Sequence, residues 1–394
     1  MSKWARAAFG SLYAIPSRNG LTRPSSVRGE GYRMAAMGEI FASDYVGDSD
    51  MDRVRLNERE QGVMMLAEHD LLFARQSLVL SGAGKCSIVK GLSEPTTFES
   101  HLIRVRLASK KANPLFYMYY FHSPVSPMHS IVQQGVQAGI RASDLEALDV
   151  VVPPKEVQDR IADKLSLFDS AIENARRQIA LLEEAAMRLY REWFVVHTDQ
   201  KWEKGAVRKW FEITIGRTPP RKIAANFSES ATDQKWCSIK DLQNSNIFIS
   251  ETAERLTKQG VDSSKIHISP AGTIFLSFKL TVGKVAITLE PMATNEAIAH
   301  FETIDRALRD YTYCYLHEFQ YDTLGSTSSI GKAINSEIVR DMPFVMPDAK
   351  TLARFSETVS PIFDQMQNRV VSIRSLTEAR DRLLPKLMSG EIEV

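Results

Sequence analysis

Residues 161–193 read IADKLSLFDSAIENARRQIALLEEAAMRLYREW, and apolar side chains recur in this stretch at alternating intervals of four and three residues. That spacing keeps one narrow seam on one face of an α-helix, as in a coiled coil. A second stretch with the same spacing runs from residue 352 to residue 387, and its seam includes Arg369 and Arg380. Adding 194 to each seam position of the first stretch gives a seam position of the second. The chain therefore contains a duplicated unit, in which a globular module is followed by a long helix.

The repeat divides the chain into four predicted segments. They are a first module (1–154), a central helix segment (155–200), a second module (201–347) and a C-terminal helix segment (348–394). The helices themselves, over residues 155–196 and 349–389, would each be about 60 Å long at ~1.5 Å per residue. Such a helix could be a dimerisation arm between two chains. The internal repeat and the seam arginines favour instead the packing of the two helices against each other within one chain.

Composition limits the class of protein. The 394 residues carry a net charge of only +1, which argues against a simple basic DNA-binding domain. No apolar run approaches the ~20 residues of a membrane span. The three cysteines, Cys86, Cys237 and Cys314, lie too far apart for a disulfide framework or a CxxC zinc site. We expect a cytoplasmic protein without a membrane segment.

The start of the chain has no acidic residue before Glu30 and contains several arginines and serines, a composition that resembles a transit peptide. Residues 9–19 (FGSLYAIPSRN), however, resemble residues 210–221 (WFEITIGRTPPR) at the start of the second module. We therefore expect this segment to be part of the first module.

Motifs of catalysis are missing or broken. Residues 81–87 (SGAGKCS) resemble the end of a phosphate-binding loop, but Val79 stands where the first glycine is required, and Cys86 follows the lysine in place of Ser or Thr. Residues 325–333 (GSTSSIGKA) have their glycines one residue too far apart. The eight histidines form no HExxH or HxH pair. We expect neither a catalytic centre nor a metal site.

Both modules show the same order of predicted elements: a strand leading into a Gly- and Pro-containing turn, a hairpin, and a helix rich in aromatic residues. The turns are residues 15–24 (IPSRNGLTRP) and 215–222 (IGRTPPRK), the hairpins are 70–90 and 270–289, and the aromatic runs are 115–121 (LFYMYYF) and 311–319 (YTYCYLHEF). Gly84-Lys85 and Gly283-Lys284 are predicted to occupy corresponding hairpin turns. The aromatic side chains are predicted to form core rather than a stacking surface for bases.

Several segments together resemble the specificity subunit of type I restriction-modification systems. They are 236–242 (WCSIKDL), the hairpin strands GTIFLSF and VGKVAI, 294–301 (TNEAIAHF), 330–347 (IGKAINSEIVRDMPFVMP), 380–392 (RDRLLPKLMSGEI) and the central region 145–194. The resemblance covers nearly the whole chain. The first module shows no clear sequence equivalent of the Trp236 segment or of Asn295.

The resemblance implies an α+β fold with two target recognition domains, separated by two long antiparallel coiled-coil helices in an internal pseudo-twofold repeat. It implies a non-catalytic protein that reads a bipartite target in double-stranded DNA. The implied partners are two methyltransferase subunits and restriction/motor subunits. The chain itself would hold no cofactor, because S-adenosylmethionine, ATP and Mg are expected on the partner subunits.

Basic residues in or beside exposed turns are the candidates for DNA contact. They are Arg18, Arg23 and Arg75 in the first module and Arg217, Arg221, Lys222 and Lys279 in the second. The alternative for each is a solvated surface cation. Two other functions stay open at this point: a duplicated coiled-coil adaptor without nucleic-acid binding, and an enzyme of unrecognised mechanism.

Overall fold

The computed structural model describes residues 4–135, 137–324 and 334–394. These residues form two compact units, of which unit 1 comprises Met1–Ala171 and Leu376–Val394, and unit 2 comprises Ile172–Ser375. The glycine-containing stretch 325–333 lies outside the described residues. Each unit contains one module and segments of both long helices.

The strands of the first module are β1 (Ala5–Ala8), β2 (Tyr13–Asn19), β3 (Arg28–Ala35), β4 (Tyr45–Val46), β5 (Arg53–Val54), β6 (Leu71–Ala74), β7 (Gln76–Ser77), β8 (Cys86–Val89), β9 (Thr96–Phe98), β10 (Leu102–Leu107), β11 (Ala138–Gly139) and β12 (Asp149–Val152). Its helices are α1 (Met37–Ala42), α2 (Glu58–Met64), α3 (Pro114–His122) and α4 (Ala142–Ala147), and the long helix α5 (Lys155–Tyr190) follows.

The strands of the second module are β13 (Glu203–Ala206), β14 (Ile213–Ile215), β15 (Phe227–Ser228), β16 (Gln234–Cys237), β17 (Phe248–Ile249), β18 (Glu254–Leu256), β19 (Ile274–Ser277), β20 (Val285–Thr288), β21 (Ala293–Thr294), β22 (Ile298–Phe301) and β23 (Pro343–Met346). Its helices are α6 (Ile239–Asn244), α7 (Lys258–Ser264), α8 (Arg306–Glu318) and α9 (Ser336–Arg340), and the long helix α10 (Ala349–Ser389) follows.

The main sheet of each module has five strands in the same order. The order is β2-β10-β6-β8-β4 in the first module and β14-β22-β19-β20-β17 in the second. The hairpins β6/β8 and β19/β20 close at Gly84 and Gly283, whose φ angles of 78° and 90° favour glycine. These sheets confirm the predicted α+β class, the duplication and the correspondence of the two hairpin turns.

A smaller sheet completes each module. In the first module it has the order β5-β3-β9, and in the second β15-β18-β16-β21. Within it β3 pairs in parallel with β9, and β16 pairs in parallel with β21. The short helices α1 and α6 follow β3 and β16, so Met34 in the first module takes the place of Trp236 in the second. The equivalent of the Trp236 segment therefore exists in the fold, although its aromatic residue is absent.

The aromatic helices α3 and α8 are core, as predicted. Asn113 caps α3 by accepting a hydrogen bond from the backbone N–H of Leu115 at 2.9 Å. The hydroxyls of Tyr117 and Tyr311, which are 194 positions apart, donate to the carbonyls of Val151 at 3.0 Å and Val345 at 2.6 Å. Since Val151 and Val345 are also 194 positions apart, the repeat extends to single hydrogen bonds.

The two long helices run antiparallel in each unit. In unit 1, Leu165 near the start of α5 shares a buried core with Leu387 near the end of α10. In unit 2, the end of the first helix continues as π-helix over Arg191–Val196, and Phe194 packs on Phe355 near the start of α10 with ring centroids 4.8 Å apart. These contacts confirm the predicted helices and their pairing within one chain.

The seam arginine Arg380 finds its partner on the other long helix. Its Nη1 donates to Oδ1 of Asp169 at 2.7 Å. The second oxygen of Asp169 accepts hydrogen bonds from the hydroxyls of Tyr45 at 2.6 Å and Tyr119 at 2.5 Å. Burial raises the pKa of both tyrosines, which keeps them neutral donors. In unit 1, the carboxylate of Asp169 on α5 thus forms hydrogen bonds with both α10 and the first module.

His300 forms buried hydrogen bonds inside the second module. Its side chain is fully buried on β22, where Nδ1 lies 2.8 Å from the Thr214 hydroxyl and Nε2 lies 2.7 Å from the Thr294 hydroxyl. Thr294 donates its own proton to the Asn295 carbonyl, so it accepts from Nε2–H, and Thr214 donates to Nδ1. Burial lowers the pKa of His300 to about 3.

Replacement of Asp169 by alanine should destabilise the chain by about 3–5 kcal/mol, because Arg380 and two tyrosine hydroxyls lose their acceptor in a site with little solvent. Urea unfolding followed by circular dichroism measures this loss. Asp381→Ala is the matched control, since Asp381 accepts from the same arginine at 2.9 Å but its side chain is 57% exposed. The control should change stability by less than about 1 kcal/mol. Equal losses in both variants would contradict the assignment.

His300 should make stability depend on pH in acid. Between pH 6.5 and about 3 the unfolded chain protonates this imidazole while the folded chain keeps it neutral. The stability that the neutral ring contributes is therefore lost as the pH falls through this window, at up to about 1.4 kcal/mol per pH unit. In unfolding titrations, the advantage of the wild type over His300→Gln should shrink with that slope from pH 6 to pH 4. A constant difference would show that the ring is charged in the folded state.

Candidate nucleic-acid interface

The second module gathers its candidate residues around a buried tryptophan. Trp236 lies in β16 and its Nε1 donates to the carbonyl of Arg217 at 3.2 Å. The guanidinium carbon of Arg221 lies 4.8 Å from the centre of the same indole and 4.4 Å from the ring of Phe227. The hydrogen bond and the cation–π contacts hold the turn of residues 216–222 on the module. The side chain of Arg217 remains exposed and donates to the carbonyl of Ser264 at 2.9 Å.

Arg221 is neutralised within the protein. Its two terminal nitrogens donate to the two carboxylate oxygens of Glu254 at 2.6 and 3.0 Å. This bidentate contact raises the pKa of Arg221. A DNA phosphate would have to compete with Glu254 for the guanidinium, so Arg221 is better suited to holding the turn than to attracting DNA.

Lys279 and Glu296 lie beside this turn. The hydroxyl of Thr218 donates to the carboxylate of Glu296, and this bond lowers the pKa of Glu296. The positive charges of Lys279 and Arg221 lower it further. The structure therefore brings Arg221 and Lys279 together around one ionised carboxylate, whereas the side chain of Arg217 donates to Ser264. Lys222 is exposed next to Arg221 in the same turn.

The ends of both hairpins expose aliphatic side chains. Leu280 is 89% exposed at a φ of 65°, and it follows Lys279 directly. In the first module, the equivalent hairpin end exposes Leu78 and Val79, but its lysine, Lys85, is paired with Asp44 at 3.5 Å. Lysines can contact phosphates, and aliphatic groups can contact thymine methyl groups. Exposed aliphatic groups thus recur at the same point of the fold in both modules, and the second module adds Lys279.

The candidate residues of the first module are less closely grouped. Arg23 forms a salt bridge with Glu60 at 2.6 Å, and this bond lowers the pKa of Glu60. Nη1 of Arg75 donates to the carbonyl of Ser100 at 3.3 Å, and the N–H of Ser100 donates to the carbonyl of Leu21 at 2.9 Å. Arg75 therefore lies beside the loop that leads to Arg23.

Arg18 lies in a strand rather than in the predicted turn of residues 15–24. Strand β2 continues to Asn19 as an edge of the main sheet, and Arg18 lies opposite Arg104 of β10. A register shift between β2 and β10 falls at Pro16, which has no N–H to donate. Because an edge strand tolerates proline, the turn-like composition was misleading here. Arg18 is exposed on this edge.

Sequence reasoning missed two arginines that lie beside Arg18. Arg104 and Arg106 alternate with apolar residues in β10, whose sequence is LIRVRL, and they therefore point to the same face. Arg106 donates to both oxygens of Asp70 at 2.7 and 2.8 Å, whereas Arg104 is 2% exposed and its Nε has no hydrogen-bond partner among the described residues. The alternation was the signal that could have identified them.

A group of possible metal ligands lies in the second module. The ligand atoms of His267, His300 and Glu302 all lie within 4.8 Å of one another. Both ring nitrogens of His300 are hydrogen-bonded to threonine, and Nε2 of His267 lies 2.5 Å from Glu302. A metal ion would have to displace these internal hydrogen bonds.

Two further features bear on chemistry. The cysteines Cys86, Cys237 and Cys314 are buried and unpaired, and burial raises the pKa of each thiol. In the part of the chain that the structure describes, no helix combines the length and the apolar character that a membrane span requires.

Comparison with known proteins agrees with this geometry. The family model of the type I restriction modification DNA specificity domain matches residues 42–184 and 199–368. The type I restriction enzyme MjaIX specificity subunit of Methanocaldococcus jannaschii is 26% identical over 285 residues, which cover 65% of this chain and 63% of that protein. The HindI specificity subunit of Haemophilus influenzae is 28% identical over 195 residues, which cover 48% of this chain and 42% of that protein. The chain thus spans less than two thirds of either relative.

A crystal structure supports the fold. The type I restriction-modification system S subunit from M. genitalium matches with a TM-score of 0.54 and 14% identity, over 98% of this chain and 96% of that one. The two family-model matches cover both modules and most of the helical residues. The chain belongs to the family of the type I restriction-modification DNA specificity domain.

Proposed function

We propose that this chain is the DNA-specificity subunit of a type I restriction-modification complex, and that each module reads one half of a bipartite target in double-stranded DNA. The observation that carries the proposal is the repetition of one surface. Both modules have the same five-stranded sheet, and in both the central hairpin ends in exposed aliphatic residues. Because the chain belongs to the DNA specificity domain family, we take double-stranded DNA as the ligand of this surface.

The second module offers groups that suit base edges. An exposed arginine such as Arg217 can donate two hydrogen bonds to guanine, an ionised carboxylate such as Glu296 can accept one from cytosine, and Leu280 can contact a thymine methyl group. The mixture of both charges suits sequence reading more than general attraction to phosphates. With a net charge of +1, the chain would depend on partner proteins for much of the phosphate contact.

In this proposal the chain is not itself an enzyme. Two methyltransferase subunits would supply S-adenosylmethionine and the methylation chemistry, and restriction/motor subunits would supply ATP, Mg and cleavage. The complex would act in the cytoplasm, where its DNA is. The adaptor alternative gives no reason for exposed aliphatic residues to recur at both hairpin ends.

Methylation tests the proposal. The purified chain alone should neither methylate nor cleave DNA. Co-expression with a cognate adenine methyltransferase subunit should produce adenine methylation at one bipartite sequence across a host genome, detected by sequencing that reports modified bases. Methylation by the isolated chain would contradict the assignment, and so would a methylation pattern that is the same with and without the chain.

Substitutions separate base contacts from phosphate contacts. In the complex, Arg217→Ala should weaken binding to the target alone by roughly 1 to 3 kcal/mol, as expected for a base contact. Lys222→Ala and Lys279→Ala should weaken binding to every sequence and lower the salt dependence by about one unit each. Lys350→Ala, at an exposed position on α10, is the charge-matched control. Fluorescence anisotropy over a range of salt concentrations measures these effects.

The same measurement extends to the other four candidates, Arg18, Arg23, Arg75 and Arg221. Arg221→Ala should act mainly by releasing the turn, so its effect should be confined to the half-site of the second module. If replacement of all seven residues leaves the affinity for the target unchanged, these turns do not form the interface.

A further inference from the structure

We propose that Arg18, Arg104 and Arg106 form a phosphate-binding site in the first module, and that the second module lacks this site. The inference deepens the proposed function, on which it rests for the identity of the ligand as a DNA phosphate. The three residues are brought together by strands β2 and β10, and only Arg18 was a candidate from sequence.

The strand registers allow the two modules to be compared residue by residue. Gly84 and Gly283 occupy the same position in the two hairpins. When residues are counted from these glycines along the paired strands, Arg104 of β10 is equivalent to His300 of β22. The positions are therefore equivalent in the two sheets. Each is a basic residue that is buried in the middle of its sheet.

The neighbours of these two residues are also equivalent. Arg18 lies opposite Arg104, as Thr214 lies opposite His300. Two residues further along the same strands, Arg106 corresponds to Glu302. The first module thus has three arginines where the second has a threonine, a neutral histidine and a glutamate.

Charge is not balanced at these positions in the first module. Asp70 is fully buried, and its oxygens accept two bonds from Arg106 and one from the N–H of Ala67 at 2.8 Å. Among the described residues, neither Arg18 nor Arg104 forms a salt bridge. Burial lowers the pKa of Arg104, and the like charges of Arg106 and Arg18 lower it further against the opposing effect of Asp70. Of these three guanidinium groups, only that of Arg106 is paired with a carboxylate among the described residues.

The same positions are satisfied in the second module. Both nitrogens of His300 are hydrogen-bonded, and Glu302 accepts from Nε2 of His267 at 2.5 Å and from the Ser269 hydroxyl at 2.9 Å. A buried donor without a partner costs about 1–3 kcal/mol, so native structures rarely leave one. The contrast indicates that the first module is completed by a negatively charged acceptor that the second module does not need.

A phosphate group has the chemistry that this site requires. Guanidinium groups bind phosphate oxygens through paired N–H donors, and weak hydration of the guanidinium favours such contacts. Arg18 is exposed on an edge strand and can reach a ligand in solvent. The side chain of Arg106 is 34% exposed and donates to Asp70 through Nε and Nη2, so only its Nη1 is left for a ligand. The buried charge of Arg104 strengthens the field at that point, because less water screens it.

Two probes test the site with the full chain. The first is a 30-base-pair duplex of arbitrary sequence, whose affinity is measured against salt concentration in the presence of the methyltransferase partner. Arg18→Thr, which installs the residue of the second module, should lower the slope of log K against log salt by about one unit. Lys164→Ala removes an exposed charge from α5 in the same unit and should leave the slope unchanged.

The second probe is inorganic phosphate. Phosphate should raise the Tm of the wild type above that in chloride at equal ionic strength, and Arg18→Thr and Arg104→His should each abolish this rise. Circular dichroism confirms folding, and Arg18→Thr at an exposed position keeps the test valid if Arg104→His does not fold. An unchanged slope together with an unchanged phosphate effect would overturn the inference.

The two probes also distinguish the sources of phosphate. A phosphate effect that depends on Arg18, combined with a slope that does not, would overturn the assignment to DNA and identify a site for a free anion. If the wild-type complex binds no duplex at all, the proposed function fails, and the phosphate measurement still decides whether the arginines bind an anion.

Discussion

Burial of the apolar seams of α5 and α10 is the constraint on which both units depend. In unit 1, Ile161 of α5 and Leu387 of α10 belong to the same buried core as Phe73 of the main sheet. In unit 2, Ile179 and Val359 share a core with the sheet in the same way. Each fully buried aliphatic side chain contributes about 1.5–3 kcal/mol. Neither module closes its core without segments of both helices, which makes the helices part of each module's fold rather than a linker between folds.

On this common scaffold the two modules keep the backbone and change the polar side chains. Tyr119 and Tyr313 are equivalent by the 194-residue repeat, and each donates to a carboxylate on α5. The acceptor is Asp169 for Tyr119 and Glu183 for Tyr313, at different points of the same helix. A duplicated chain can therefore preserve a hydrogen bond while it replaces the partner. The same freedom at loop positions would let the two modules read different DNA sequences.

The sequence was sufficient for features that follow from periodicity and from backbone chemistry. The heptad seam predicted both helices, and the positive φ of Gly84 and Gly283 explains why the two hairpins could be aligned. Both seam arginines were expected to face partner groups. Arg380 pairs with Asp169, whereas Nε of Arg369 is buried without a hydrogen-bond partner among the described residues. The predicted turn of residues 15–24 began too early, because turn-like composition and an edge strand that contains Pro16 look alike in sequence.

The features that could not be predicted depend on contacts between distant residues. Arg221 is separated from Glu254 by 33 positions, so no local sequence pattern predicts their ion pair. The same holds for the stacking of Arg221 on Trp236. The equivalence of Arg104 and His300 appears only when the strand registers are compared, because the loops between the strands differ in length. Whether a basic residue is available to a ligand is thus a property of its tertiary partners.

This distinction also explains how a nearly neutral chain could contact DNA in the proposed function. Acidic residues are used to pair arginines that hold loops, as Glu254 pairs Arg221 and Glu60 pairs Arg23. These pairs contribute little long-range field, since the opposite charges cancel beyond a few ångströms. The positive charge that DNA would meet comes instead from cations that make no salt bridge among the described residues, such as Lys279. Net charge counts both groups equally, so a value of +1 underestimates the local attraction at the hairpin ends.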